Sequence, residues 1–427
     1  MRQSLNIGIL SFHAQQNYGG VLQAFALQEV LRHTGQVLNV KVVDRWLSAG
    51  NRALVGDTNG LWRRLRLRFR GLLRLGDAAP LCRRLRTRHF VETRLLLSDD
   101  HFQDWDEFRI RQLVSPDLLI VGSDQVWHAG KWGDPRVYLL HHAPAMRAIA
   151  YAASFGMTGA NLRAVEGVTT LGEWTGFARL ASGETLGDIY RQGLAKFEAI
   201  SCREAEGVAI CAIYGREAVH VVDPVLLAGA EFWRAQVRWN RAKSRQIFCY
   251  VIGEEALTVR TPLADVCREN KMSAEIFLDG VPSWWWGPMP KNVRTLKEWW
   301  RALRRRRCDR ARMRLDAGPQ EFLDSIAAAD WVVTDSFHAL MFAIVFKRNV
   351  RVLRPRSESR RQMFARIEEF AAHATGPLIA DDLDAALSSF RRGEMVAFDE
   401  PWLEARRRFS ADWLTAQIEA ARKAVGK

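Results

Sequence analysis

Short apolar runs that stop at small or polar residues recur along this chain, and between them apolar residues return at helical spacing. Ile7–Phe12 is the first such run. A loop, His13–Tyr18, leads to Gly19-Gly20. Val21, Leu22, Phe25, Ala26 and Leu31 then mark one face of a helix that Gly35 stops. Val37–Val43 follows as a second run, closed by Asp44. Parallel strands need a long crossover, usually a helix, so this β-α-β unit predicts a parallel sheet covered by helices. Leu118–Val121, Ala148–Ala153, Ile200-Ser201 and Val219–Val222 continue the series. Most end in residues such as Gly122-Ser123-Asp124, Ser154-Phe155-Gly156 or Asp223-Pro224. Ligands of open α/β sheets bind at the carboxyl ends of strands, so these ends are where function is sought.

A second series begins after Pro224. Ile247–Ile252, Glu275–Leu278, Trp331–Thr334 and Val350–Leu353 read as strands, and Glu321–Ala329 and Phe337–Phe346 as helices. The 427 residues are enough for two domains. The predicted organisation is α/β, with an N-terminal domain over 1–230, taken as the acceptor side, and a C-terminal domain over 231–400. Residues 401–427, with Trp402, Phe409, Trp413 and Ile418, are expected to form a helix packing back on the body.

Charge is concentrated. Residues 61–88 carry ten Arg and one acid, and 301–314 carry eight Arg and one acid, leaving −2 for the remainder of a chain whose net charge is +14. The body is therefore near neutral. It shows no helix-turn-helix, zinc-finger or RNP pattern, so nucleic acid is not an expected partner. Six scattered cysteines without CxxC pairs read as reduced packing residues of a cytosolic protein. No run reaches the roughly 18 apolar residues of a membrane span, and the first ten residues lack the pattern of a signal peptide. A cytoplasmic location is the expectation.

Several strand ends carry chemistry-bearing types. The Phe12–Gly20 loop opens a helix, whose N-terminal N–H groups suit an anion, while Gly19-Gly20 equally suits close helix–strand packing. The loop is neither GxGxxG nor a P-loop, so Asp44 is a weak candidate for a ribose contact. Ser123, Asp124 and Gln125 follow a strand directly and read either as site residues or as turn and cap chemistry. Asp335 and Ser336 have the same two readings. His338 falls in the first turn of an apolar helix, where it suits a general base or a hydrogen-bond donor. Arg203 offers a planar fork for a carboxylate or phosphate, or a salt bridge to Glu204 or Glu206. Arg360, Arg361 and Arg366 read as a ligand contact or a solvated helix face. No metal-ligand spacing appears.

Six motifs in order resemble one family. They are Asn17-Tyr18-Gly19-Gly20-Val21-Leu22-Gln23-Ala24, Gly122-Ser123-Asp124-Gln125-Val126-Trp127, Tyr151-Ala152-Ala153-Ser154-Phe155-Gly156, Arg203-Glu204, Asp223-Pro224 and Thr334-Asp335-Ser336-Phe337-His338. Over roughly residues 5–370 they are similar to the polysaccharide pyruvyl transferases. The family's usual SFHG reads Ser336-Phe337-His338-Ala339 here. The resemblance implies two Rossmann-like domains in a GT-B-like arrangement. It also implies transfer of pyruvate from phosphoenolpyruvate to a sugar of a cell-surface polysaccharide or its precursor as a ketal, with His338 and Arg203 in the donor site. Such chemistry needs an acid, a base and an anion clamp. His338 is the expected acid/base, Arg203 the clamp, and Asp124 or Asp335 the partner of the sugar hydroxyl. Asn17, Tyr18, Gly19, Gly20, Ser123, Gln125, Ser336 and Arg366 are the further expected substrate contacts. No metal or redox cofactor is expected. A GT-B glycosyltransferase using a sugar nucleotide is the alternative.

Within 61–88, Leu61, Trp62, Leu65, Phe69, Leu72 and Leu73 share one helical face, with Arg63, Arg64, Arg66, Arg70 and Arg74 around it. This suits an anionic membrane surface or a helix packed on the first domain with a solvated Arg face. Lipid-linked acceptors, which the resemblance allows, would give the first reading a purpose at the inner face of the cytoplasmic membrane.

Overall fold

The structure, a computed structural model, describes residues 4–13, 17–34, 38–46, 75–103, 116–128, 135–141, 143, 145–165, 184–238, 245–252, 259–279, 310–356, 361 and 364–426. Its first sheet holds β1 (Leu5–Leu10), β2 (Leu38–Trp46), β3 (Leu97–Gln103), β4 (Leu118–Val121), β5 (Ala148–Ala153), β6 (Ala199–Cys202) and β7 (Val219–His220). The order is β3-β2-β1-β4-β5-β6-β7, and every neighbouring pair is parallel. Helices α1 (Tyr18–Arg32), α2 (Leu75–Arg94), α3 (Gly159–Val165), α4 (Leu186–Leu194) and α5 (Ala205–Ile213) connect these strands, and α6 (Pro224–Gln236) leads out.

The second sheet repeats the plan. It contains β8 (Gln246–Ile252), β9 (Ser273–Asp279), β10 (Ala311–Arg314), β11 (Trp331–Thr334), β12 (Asn349–Leu353) and β14 (Ile379–Ala380), in the order β10-β9-β8-β11-β12-β14. All of these pairs are parallel too. Its helices are α7 (Arg260–Glu269), α8 (Pro319–Ala328), α9 (Phe337–Val345), α10 (Ala365–Ala372) and α11 (Leu383–Arg391), with a small antiparallel ribbon of β13 (Ala374–Thr375) and β15 (Ala397–Phe398). The strand order of each sheet turns back beside its first strand, β1 next to β4 and β8 next to β11, which is where an open sheet forms a ligand crevice.

Three strand readings differ from expectation. β2 runs past Asp44 to Trp46 because β3 pairs with it there. β3 itself has a polar sequence, and as the outermost strand it needs no apolar alternation. The apolar run ending at Val222 leaves the sheet after His220, because the Val222 N–H donates to Ser410 Oγ at 2.9 Å. Ser410 lies on α12 (Glu400–Ala424), the terminal helix, which starts at an Asp399 cap and packs on the first sheet. Its Arg406 donates to the His220 carbonyl at 3.0 Å, and the Trp413 ring lies 6.3 Å from that of Tyr151.

One apolar core runs through both halves. Tyr18, from the start of α1, stacks on Phe322 at 4.8 Å and meets Tyr250 and Phe277 edge-on. Its hydroxyl donates to the Ala317 carbonyl at 3.1 Å. From α2, the Arg83 guanidinium covers the same ring at 4.3 Å and donates to the Leu278 carbonyl. Arg86 pairs with Asp316 at 2.8 Å. The described end of the basic segment 61–88 therefore docks on the second sheet. The apolar face from Leu61 to Leu73 and its arginines up to Arg74 lie outside the described residues, as do residues 301–309 of the second basic stretch. The remainder of that stretch forms β10, an edge strand whose Arg314 pairs with Glu275 at 2.7 Å.

Candidate active site

The carboxyl ends of the two sheets meet at His338. In the first sheet, β4 is followed by Gly122, whose φ of 112° suits glycine. A Cβ there would also lie 2.4 Å from the Tyr151 carbonyl oxygen. Asp124 follows with φ of 77°, a left-handed conformation that Asp tolerates better than most residues. Its Oδ1 accepts from the Gln125 N–H at 2.8 Å. Ser123 Oγ accepts from the Asp124 N–H at 2.6 Å and donates to Asp223 Oδ2 at 3.3 Å. Asp223 caps α6 by accepting from the Val225 N–H at 2.9 Å.

Arg203, at the end of β6, lies between these acids with its side chain fully buried. Its Nη1 is 3.2 Å from Asp223 Oδ2, Nη2 3.4 Å from Asp124 Oδ1, and Nε 3.8 Å from Glu204 Oε2. His338, in the first turn of α9, brings Nε2 within 3.3 Å of Arg203 Nη1 and 3.6 Å of Asp223 Oδ2. A neutral ring accepts from Arg203 through Nε2; a protonated ring sets its Nε2–H beside Asp223. The contacts thus suit a proton carrier in both of its states.

The opposite side of the His338 ring explains Gly19. A Cβ on Gly19 would lie 2.2 Å from His338 Nδ1. The glycine is there for close packing, and what it packs against is the candidate catalytic ring. Gly19→Ala is expected to displace His338, lowering stability by about 1–3 kcal/mol and turnover by at least tenfold. A urea midpoint and an activity assay on the same preparation check this, and an Ala variant with full turnover would refute it.

The other expected contacts divide. Asn17 Oδ1 accepts from the Gly19 N–H at 2.9 Å and the Gly20 N–H at 3.4 Å, so those two donors are taken by the chain's own cap rather than held open for an anion. Gly20 lies where a Cβ would be 3.4 Å from Asp124 Oδ2. Tyr18 is spent between the two halves, as described above. Gln125 is buried beside Gly156. Ser336 is the N-cap residue of α9, but its side chain makes no capping bond. Asp335 Oδ1 accepts from the Ile252 N–H at 2.9 Å and so ties the end of β11 to β8, a positioning role. Arg360 and the side chain of Asp44 lie outside the described residues, and Arg361 donates to the Pro355 carbonyl at 3.2 Å.

The electrostatics distinguish the two arginines. Burial pushes the Arg203 pKa down, but Asp124, Asp223 and Glu204 outweigh it and the net shift is upward. Its fork is occupied by protein carboxylates. Arg366, on α10, is the opposite case. It stacks 4.8 Å from the centre of the Phe337 ring, and Arg203 stacks on the same ring at 4.7 Å. Burial, reinforced by the charge of Arg203, pushes the Arg366 pKa down to about 10. Its Nε and Nη1 are buried without hydrogen-bond partners. Arg366 thus keeps two unpartnered donors, and Arg203 keeps one, its Nε.

Asp223 was missed as a site residue because Asp before Pro at a helix start already has a sufficient reading as a cap. It performs that role as well. Burial favours its neutral form, but His338, Arg203 and the Val225 N–H together hold its carboxyl well below the usual range. A depressed folded-state pKa contributes stability above the unfolded value of about 3.9 and loses it as pH falls below that value. Asp223→Asn should therefore flatten the acid limb of a stability–pH curve. An unchanged limb would count against the buried pair.

Residues 17–357 match the family model described as polysaccharide pyruvyl transferase. The chain belongs to this family. Among curated proteins no match is found. Solved structures share its fold at low identity. UDP-GlcNAc 2-epimerase from Methanocaldococcus jannaschii is 10% identical, with a TM-score of 0.50, covering 91% of this chain and 92% of its own. The S. aureus MnaA–UDP co-structure is 9% identical with a TM-score of 0.51, covering 100% and 98%. UDP-N-acetylglucosamine 2-epimerase from Rickettsia bellii is 8% identical with a TM-score of 0.51, covering both chains fully. This pyruvyl transferase accordingly has two Rossmann-like domains in a GT-B-like arrangement, with His338 of one facing Arg203 and Asp223 of the other.

Proposed function

We propose that this enzyme moves pyruvate from phosphoenolpyruvate to a sugar of a cell-surface polysaccharide or its precursor, forming a ketal. The observation that carries this reading is the seating of His338 against Gly19, Arg203 and Asp223 at the junction of two strand-end crevices. Family membership supports it. His338 delivers a proton to the methylene carbon of the donor, and one sugar hydroxyl bonds to the adjacent carbon and loses its own proton. The carbon–oxygen bond to phosphate breaks, with the electron pair leaving on phosphate. The second hydroxyl then adds and releases its proton, closing the ketal. Asp124 is the carboxylate for a hydroxyl proton, and Arg366 presents its free donors to an anionic group of the donor.

Phosphate release from phosphoenolpyruvate in the presence of saccharide acceptors tests the reaction. Transfer from a sugar nucleotide instead, with nucleoside diphosphate released and no phosphate from phosphoenolpyruvate, would overturn it in favour of a glycosyltransferase.

The same reading places the enzyme in the cytoplasm, at an anionic membrane surface where lipid-linked acceptors would be met. Among the described residues no helix is long and apolar enough to cross a membrane. The sequence of residues 61–74 supplies several arginines, each contributing about 1 kcal/mol near acidic lipid. Cosedimentation with acidic but not neutral liposomes, lost at high salt, is the expected result. Equal recovery in the supernatant with both lipids would remove the membrane contact from the reading.

A further inference from the structure

Beside the His338 cluster lies a small cleft of about 130 Å³ with its mouth open to solvent. Glu204, Glu206 and Glu369 line it together with Arg366, and Gly156 and Ala205 leave its wall low. Glu204 is 5% exposed, yet neither carboxylate oxygen has a hydrogen-bond partner. The nearest guanidinium nitrogen, Arg203 Nε, is 3.8 Å away, beyond hydrogen-bond reach, and the fork of Arg203 is engaged by Asp124 and Asp223. Glu369 faces His220 Nδ1 at 3.4 Å.

Three carboxylates against one guanidinium disfavour a polyanion in the body of the cleft. Carboxylates only accept hydrogen bonds. The complementary ligand is a neutral molecule rich in hydroxyl donors that offers some oxygens to Arg366. Met157 and Ala365 add apolar wall of the kind that covers the C–H face of a sugar ring. The cleft also abuts the reacting groups, since Glu204 follows Arg203 in sequence and Arg366 stacks on Phe337, the neighbour of His338.

We propose that this cleft is the acceptor subsite, and that Glu204 binds a pair of hydroxyls of a pyranose and orients them toward His338. The proposal rests on the pyruvyl-transfer reading for its purpose, but not for its test. Glu204 and Glu369 are here positioning residues, with Arg366 on the border between acceptor and donor.

Calorimetric titration of methyl β-galactopyranoside, methyl α-glucopyranoside and methyl α-mannopyranoside, each without phosphoenolpyruvate, measures the subsite alone. Phosphoenolpyruvate is titrated separately. At least one glycoside should bind. Glu204→Gln should weaken it about tenfold or more, the loss of one charge-assisted contact, and Ala365→Leu should do the same by filling the cleft. Phosphoenolpyruvate affinity should stay within about twofold for Glu204→Gln. Saturable binding of none of the three glycosides overturns the proposal, as does glycoside binding indifferent to both substitutions. Loss of phosphoenolpyruvate affinity in Glu204→Gln, with glycoside binding intact, makes the cleft a donor site and overturns it as well. Glycoside binding that behaves as expected, without any phosphoenolpyruvate binding, upholds the subsite and defeats the donor reading alone.

Discussion

His338→Ala is expected to lower kcat by about 10²–10⁴-fold, the usual contribution of a positioned general acid or base, with the fold retained. The ring is buried between the two domains, 7% exposed, and its Nε2 faces both a donor, Arg203, and an acceptor, Asp223. Alanine removes the proton carrier and leaves a space over Gly19, while α9 remains an apolar helix packed through its whole length. Because the loss lies in chemistry, KM for the donor should move much less than kcat. His338→Gln, which fills the space and keeps one hydrogen bond, should recover stability but not turnover. An Ala variant with more than about a tenth of wild-type kcat would remove His338 from proton transfer.

Arg203→Met is expected to cost about 3–5 kcal/mol of stability, the usual penalty for breaking a buried ion pair from one side. The reason is the company it keeps. Asp124, Asp223 and Glu204 are all nearly buried, and the Arg203 guanidinium lies within 4 Å of all three. Met keeps the length of the side chain but leaves those carboxylates uncompensated. Arg203→Lys keeps a charge but loses the fork, so it should destabilise less and lower kcat by disturbing His338 rather than raise the donor KM selectively. Chemical denaturation together with a split of kcat from KM separates the two roles. A Met variant as stable as the parent, with a donor KM raised alone, would make Arg203 the clamp and not a structural cation.

Much of the architecture was written locally. β4, β5 and β11 begin and end where the apolar runs begin and end, because buried parallel strands are apolar on both faces and stop where polar turn residues start. The polar β3 and the arginine-bearing β10 escaped that logic, since edge strands need no apolar run. His338 was also visible, since a histidine in the first turn of an apolar helix that follows an apolar strand has a defined place at a crevice.

What the sequence by itself determined is the alternation of strand and helix, the presence of two sheets, and the ends at which function would gather. These follow from nearest neighbours along the chain. Only the tertiary structure decided which polar groups face a ligand and which face one another. Arg203 and Arg366 look equally available in sequence, yet one is enclosed by acids 20 and 79 residues away and the other keeps two free donors. Gly19 reads equally as part of an anion loop or as close helix–strand packing, yet what it makes room for is a ring from the other domain. Charge compensation and van der Waals contact act over a few ångströms of space. Which residues come that close is set by how the two sheets pack, a quantity that no local pattern encodes.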